Sequence, residues 1–291
     1  MDNPFQINYH DQVDTDLVKL SIGGDKKALQ NLVIRHQAFV YNLAFKMTKN
    51  AEDAEDLTQE VFIKAITALS KFEGKSKFNT WLYRITVNHF INTKKRNTEL
   101  KITDFESYFN SIDTIPVYEL TEHEQTDLKD SIEEIRISCT AGMLLCLDRE
   151  QRMIYILGEM FDIDHNLGAE IMAISPGNFR IRLMRTRQDL YNWMNKRCGL
   201  VNESNPCRCS KKTKAYIEAG YVDPNHLKFT GRHKKKIYEL SQSKAESITD
   251  TIEDLHKRIF LDHPFEEPMN TSKIVEEIFN NNLIKLILSG G

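Results

Sequence analysis

The stretch ISPGNFRIRLMRTRQDLYNWM, residues 174–194, shows where a helix begins and how its sides divide. Ser175 offers the side-chain oxygen that an N-cap needs. Pro176 stands at the first helical position, where its missing N–H is not called on. Phe179, Leu183 and Leu190, joined by Trp193, recur at helical spacing and predict one buried stripe. Arg180, Arg182, Arg185 and Arg187 cannot all share that stripe, so several must face outward. A short helix ends near Ala173, just upstream. Two helices joined by a tight turn, the second rich in arginine, predict a helix-turn-helix.

Working outward from that stretch, the chain reads as helical almost throughout. Upstream, residues 144–161 form one amphipathic helix or two. From Asp25 to Met47, Ala28, Leu29, Leu32, Val33, Phe39, Val40, Leu43 and Ala44 keep the helical period. A further helix from Ala51 to Leu69 places Ala54, Leu57, Val61, Ala65 and Leu69 on one stripe. Its first turns carry Glu52, Asp53, Glu55, Asp56 and Glu60, more acid than the helix dipole needs. Asn79 or Thr80 is the expected cap of a third helix, running through Trp81, Ile85 and Phe90 to about Lys95. Helical character resumes near Ser131. Two amphipathic helices, 243–261 and 271–288, close the chain. The expected fold is all-α.

The net charge of −3 conceals a segregation. Residues 83–97 carry Arg84, Lys94, Lys95 and Arg96 and no acid, while 98–134 set eleven acids against Lys101 and Lys129, a net −9. Residues 176–197 set six bases against Asp189, and 207–214 hold four bases alone. Basic blocks around an acidic one predict two nucleic-acid surfaces joined by a segment that avoids or mimics nucleic acid. Residues 98–134 lose helical periodicity, are interrupted by Pro116, and read as a linker with short helical pieces at most.

A second stretch, FEGKSKFNTWLYRITVNHF (72–90), interleaves Phe72, Phe78, Trp81 and Tyr83 with Lys75, Lys77 and Arg84. Melted DNA needs such a surface. Aromatic faces replace lost base stacking at about 1–3 kcal/mol per base, and cations meet the phosphates. Packing in a helical core is the competing explanation for Phe78 and Trp81.

No glycine-rich phosphate loop, Gly-x-Ser-x-Gly or His-Glu-x-x-His is present, so no enzyme is expected. There is no apolar run long enough to span a membrane, and Met1–Asp16 has neither the basic start nor the apolar stretch of a signal peptide. A cytoplasmic protein is expected. Five cysteines do not suggest a disulfide framework. Cys198, Cys207 and Cys209, with His226 and His233 downstream, are candidate zinc ligands; packed thiols beside an Asn-Pro turn are the simpler explanation. Cys139 and Cys146 are expected in the core.

Two motifs then bring a family into view. The run Asp53-Ala54-Glu55-Asp56-Leu57-Thr58-Gln59-Glu60-Val61-Phe62, followed by Phe72-x-Gly74-x-Ser76-x-Phe78-x-Thr80-Trp81-Leu82-Tyr83-Arg84-Ile85-x-x-Asn88, resembles region 2 of the extracytoplasmic-function (ECF) sigma factors of bacterial RNA polymerase. Ala169 to Arg187 resembles their region 4. The resemblance covers about residues 15–197 and divides the chain into region 2 (15–97), an acidic linker (98–134), region 4 (135–197) and a C-terminal extension (198–291).

The resemblance implies core-polymerase docking, on a coiled coil of the largest subunit, through Asp53, Asp56, Gln59 and Glu60. It implies −10 recognition and melting by Phe72, Lys75, Ser76, Lys77, Phe78, Asn79, Thr80, Trp81, Tyr83, Arg84 and Asn88, with Lys94, Lys95 and Arg96 on phosphate. It implies a grip on the polymerase flap and −35 recognition by Ser175, Asn178, Arg180, Arg182, Arg185 and Arg187. The linker would thread toward the polymerase active centre. No cofactor is required; zinc in the extension is the one candidate. The family's usual Glu-Ile-Ala-Glu is replaced by Leu167-Gly168-Ala169-Glu170, which leaves room for an auxiliary targeting partner. The extension is a candidate site for that partner or for an anti-sigma protein; equally, its terminal helices are candidates to pack back on region 4 as an intramolecular lid. Two alternatives stay open: a polymerase-independent helix-turn-helix regulator, and a metal- or redox-sensing DNA-binding protein.

Overall fold

A computed structural model of the chain describes residues 3–4, 11–102, 104–227, 252, 256, 259–260, 263–266 and 271–288. In chain order the helices are α1 (Asp11–Ile22), α2 (Lys26–Thr48), α3 (Ala51–Thr67), α4 (Phe78–Asn92), α5 (Asn97–Lys101), α6 (Phe105–Asp113), α7 (Glu122–Asp127), α8 (Lys129–Leu144), α9 (Arg149–Tyr155), α10 (His165–Met172), α11 (Pro176–Arg197), α12 (Cys209–Glu218), α13 (Thr271–Asn280) and α14 (Asn282–Leu288). A 3-10 turn, Leu69–Lys71, follows α3, and a π turn, Ile156–Met160, extends α9. Among the described residues the elements are all helical, and the single extended pairing is an isolated bridge between Cys198 and Cys207. The all-α expectation holds.

The described residues form two compact units. The first comprises Met1–Glu99, Arg149–Arg182 and Phe265–Gly291; the second, Leu100–Asp148 and Leu183–Pro264. The first division, after Glu99, lies two residues from the expected boundary at 97, whereas the others follow Asp148, Arg182 and Pro264. Helix periodicity shows which face of a helix is apolar but not which distant segment covers it.

In the first unit, α2 packs on α1 and α3, α3 on α4, and α10 on α4. Phe39, Val40, Leu43, Ala44, Ala54, Val61 and Leu82 form a fully buried centre. The Asp25 carboxylate caps α2 by accepting from the Lys27 and Ala28 amides, and Lys49 ends that helix at φ 56°. Asn50 caps α3 through the Asp53 amide at 2.8 Å. The cap of α4 differs from expectation. Lys77 occupies that position without a side-chain bond, and Asn79 instead accepts from the neighbouring Thr80 amide at 2.7 Å. Starting at Phe78 sets Phe78 and Trp81, three residues apart, on one side of the first turn.

Residues 144–161 divide between the end of α8, α9 and the π turn. Downstream, Ala173 closes α10 in the left-handed region (φ 53°), and Ser175 Oγ accepts from the Asn178 amide at 3.2 Å, the expected cap. Gly168 has a steric reason: a Cβ there would lie 2.6 Å from Cζ of the Phe179 ring, which is fully buried. The glycine that departs from the family pattern is the residue that lets the two helices of the motif close on each other.

A buried ion network braces this unit. Glu99 Oε2 accepts from Arg149 at 2.6 Å, and Glu99 Oε1 accepts from Arg149 and Arg152, each at 3.0 Å. Arg152 also donates to the Met47 carbonyl at 2.7 Å. Burial pushes the Glu99 carboxyl up. The Arg149 hydrogen bond, the Arg96 amide and the Arg152 charge outweigh it and hold the group below its ordinary range.

In the second unit the acidic linker is built around short helices. Asp104 caps α6 at the Ser107 amide, and Thr121 and Glu124 form a reciprocal capping box on α7. Tyr108 donates to the Cys139 carbonyl at 2.8 Å, its ring lying over Gly142 where no Cβ would fit. Phe105 stacks on Trp193 at 5.5 Å. The expected helix 243–261 lies largely outside the described residues. The last predicted helix is two, α13 and α14, divided at Asn281.

Candidate polymerase and nucleic-acid interface

Helix α3 presents the acidic residues unequally. Asp56 is exposed, while Asp53, Gln59 and Glu60 are half-buried. Burial pushes the Asp53 carboxyl up, Arg96 opposes, and Asp56 adds to the rise. Glu60 accepts from Arg96 at 2.9 Å, and its other oxygen lies 2.8 Å from His89 Nε2. His89 Nδ1 faces Lys64 Nζ at 2.9 Å. Burial lowers the affinity of His89 for a proton, against the pull of Glu60. Gln59 Nε2 donates to the Glu277 carboxylate on α13.

The aromatic-basic stretch resolves into two layers. Phe72, Phe78 and Trp81 form a ring cluster with centroids 5.4–5.7 Å apart. Phe72 and Trp81 are half-buried; Phe78 lies beneath them, only 6% exposed. Gly74, at φ +69°, turns the loop that precedes α4. Lys75 and Lys77 stand out with side chains 84% and 64% exposed, beside Glu73 and Asp11. Ser76 and Asn79 are half-buried, and Arg84, Asn88, Lys94 and Lys95 are exposed.

Four of the residues expected to meet DNA are placed otherwise. Phe78 and Thr80 are buried, and Tyr83 is 1% exposed with its ring 3.7 Å from that of Phe39. They support the surface rather than form it; Phe78 meets His36 and Tyr83 meets Phe39, both on α2. Arg96 is half-buried on Glu60 rather than open to phosphate.

On α11, Asn178, Arg180 and Arg185 are exposed, whereas Arg182 is held by Asn178 at 3.0 Å and Glu150 at 2.8 Å. Arg187 is half-buried, and its charge helps lower the buried His256 to about 4, a shift due first to burial. Ser175 is the cap.

Among the described residues no cluster of three or more His, Cys, Asp or Glu side chains is arranged to hold a metal. The proposed ligands are free thiols. Burial pushes Cys198 up to about 11, and Cys207 and Cys209 also rise, which favours the protonated thiol over the thiolate a metal needs. His226 bonds Asp223 at 2.9 Å, and His233 lies outside the described residues. Cys139 and Cys146 are half-buried rather than core.

Sequence reasoning missed the residues that tie distant segments together: Glu99 with Arg149 and Arg152, and Asn42 with Glu266. The signal available was a charge inside an apolar run, Arg152 in QRMIYIL and Lys46 in LAFKM. Lys46 is buried with its ammonium 4.5 Å from the Phe265 ring centre. Burial lowers it to about 7, against the opposing pull of Glu266.

An acid-edged helix, a ring cluster fringed by cations and a helix-turn-helix on one all-α chain define a transcription factor of the sigma class. Residues 32–99 match the sigma-70 region 2 family. The chain is 30% identical over 179 residues to the RNA polymerase sigma-H factor of Pseudomonas aeruginosa, covering 60% of this chain and 90% of that protein. It is 31% identical over 182 residues to the ECF RNA polymerase sigma-E factor of Escherichia coli K12, covering 62% of this chain and 93% of that protein. The same identity and coverage relate it to the ECF sigma-E factor of Salmonella typhimurium LT2. The chain belongs to the ECF sigma factors, proteins that bind RNA polymerase and recognise promoters. No helix among the described residues is long and apolar enough to cross a membrane.

Proposed function

We propose that this sigma factor binds core RNA polymerase through the acidic face of α3, opens the −10 element on the surface between Phe72 and Asn88, and reads the −35 element with α11. The observation that carries it is the Phe72–Trp81 ring pair, half-buried and fringed by exposed Lys75, Lys77 and Arg84. A buried aromatic floor beneath a partly open ring is suited to receive an unstacked base, and the cations to receive its phosphates.

In this division Asp53, Asp56, Gln59 and Glu60 meet polymerase. Phe72, Lys75, Ser76, Lys77, Asn79, Trp81, Arg84 and Asn88 meet the melted strand, with Lys94 and Lys95 on nearby phosphate. Asn178, Arg180 and Arg185 meet the major groove, joined by Arg182 once it leaves Glu150. The protein carries no catalytic chemistry of its own and works beside the polymerase in the cytoplasm.

Trp81→Ala tests the division. Core binding should persist while permanganate reactivity of unpaired promoter thymines drops at least about tenfold, the loss of one to two stacked-base contacts. Wild-type reactivity would exclude the ring pair from strand capture.

A further inference from the structure

The extension returns to the helix that docks polymerase. Helices α13 and α14 both pack on α3, and α13 also on α2. Ile274, Ile278 and Ile284 are fully buried there and Val275 nearly so. At the edge of this contact Gln59, a docking candidate, bonds Glu277. One turn earlier on α3, on the same side as Gln59, Glu55 has a carboxylate oxygen that is buried and without a hydrogen-bond partner. A single carboxylate oxygen left without a donor is unfavourable and is relieved by an arriving cation or by water.

The segment leading to these helices is fixed separately. Asn42, fully buried, donates to the Glu266 carbonyl at 2.8 Å and accepts from the Glu266 amide at 2.7 Å. Phe265 packs edge-on against Phe161 at 5.1 Å and lies under Lys46. The hold therefore has two parts. A polar and aromatic anchor keeps the segment attached, and an apolar helix pair with an imperfect edge covers α3. Attachment through the anchor keeps the helix pair at high effective concentration even when it lifts away.

We propose that α13 and α14 are a built-in competitor of core RNA polymerase: in the free protein they cover the Gln59 edge of the docking face of α3, and they leave it when core enzyme binds. The proposal rests on α3 being the docking helix. It commits the extension to an intramolecular occupant rather than to a second protein. A chain that is open only a fraction of the time binds core with its intrinsic affinity reduced by that fraction. Tail release then sets how much of the sigma factor is active at a given polymerase concentration.

The test is equilibrium binding of the full chain to core polymerase. Ile278→Glu puts a charge into the covered interface and should tighten apparent affinity about tenfold or more, the gain expected when the open state rises from a tenth or less of the population. Circular dichroism confirms that the helices persist. Unchanged or weaker binding by a folded Ile278→Glu protein refutes the competitor. Asp56→Arg, made in both backgrounds, separates the two ideas. Binding lost in both keeps α3 as the docking helix whatever Ile278→Glu does. Binding retained in both removes the docking helix and the proposal with it. A measurement on wild type needs no variant to fold: hydrogen exchange of residues 271–288 should be slow in the free protein and fast in the complex with core enzyme. Protection that survives complex formation overturns the proposal.

Discussion

The extension holds the rest of the chain in two chemically different ways. In the second unit α12 grips the acidic linker through polar groups. Lys212, 5% exposed, donates to the Ile112 and Ile115 carbonyls at 2.8 and 2.9 Å. Lys214 meets Glu124 at 2.6 Å, and Tyr118 meets Lys211 through its backbone at 2.7 Å and Glu218 through its hydroxyl at 3.0 Å. In the first unit α13 and α14 cover α3 mainly with isoleucine. One hold is made of charges and carbonyls near water, the other of apolar area withdrawn from it. The first should answer to salt and acid, the second to side-chain volume.

The largest break in that comparison is expected at Ile278. Ile278→Ala removes a fully buried side chain and should destabilise the tail contact by about 2–5 kcal/mol, read as a lowered urea midpoint with little dependence on salt. Next is Lys212→Met. The lysine closes the end of α6 and reaches two carbonyls, so its loss should cost about 1–3 kcal/mol and appear as faster proteolysis of the linker between Asp113 and Thr121.

Smallest are the effects at the half-buried Glu124–Lys214 pair. The Lys214 hydrogen bond, with the Thr121 amide and hydroxyl, holds the Glu124 carboxyl at about 2. Because the folded group binds its proton less readily than the unfolded one, its contribution is complete above the ordinary value of 4.5 and is lost as pH falls toward 2. Carbon-13 titration of Glu124 should show that low midpoint, and Lys214→Ala should move it up toward 4.5. Molar salt, with a Debye length of about 3 Å, should weaken this pair while leaving the α13–α3 contact intact. A salt response of equal size at both places would erase the distinction between the two holds.

Much of the candidate site was legible because it is local. Ser175 and Pro176 sit beside the helix they start, and Phe78 and Trp81 meet because three residues make nearly a turn. The acidic excess on α3 could be counted. What sequence could not supply was depth. Tyr83 looked like one more ring for DNA, yet it lies against Phe39, forty-four positions away in a helix whose own pattern does not name its neighbour. The same holds for Arg96, whose charge is spent on Glu60. The spacing of Cys198, Cys207 and Cys209 likewise could not show how far each is shielded from water, the burial that pushes their thiols up.

By itself the sequence determined that the chain is helical, where α2, α3 and α11 start, and that its charges are sorted into opposed blocks, since periodicity, capping and charge can all be read within a few residues. Only the tertiary structure decided which side chains remain at the surface and that α13 and α14 lie on α3. The physical reason is that an apolar stripe is satisfied by any complementary stripe. Which one it meets depends on long-range closure, shape and the anchor at Asn42, not on neighbours in the chain.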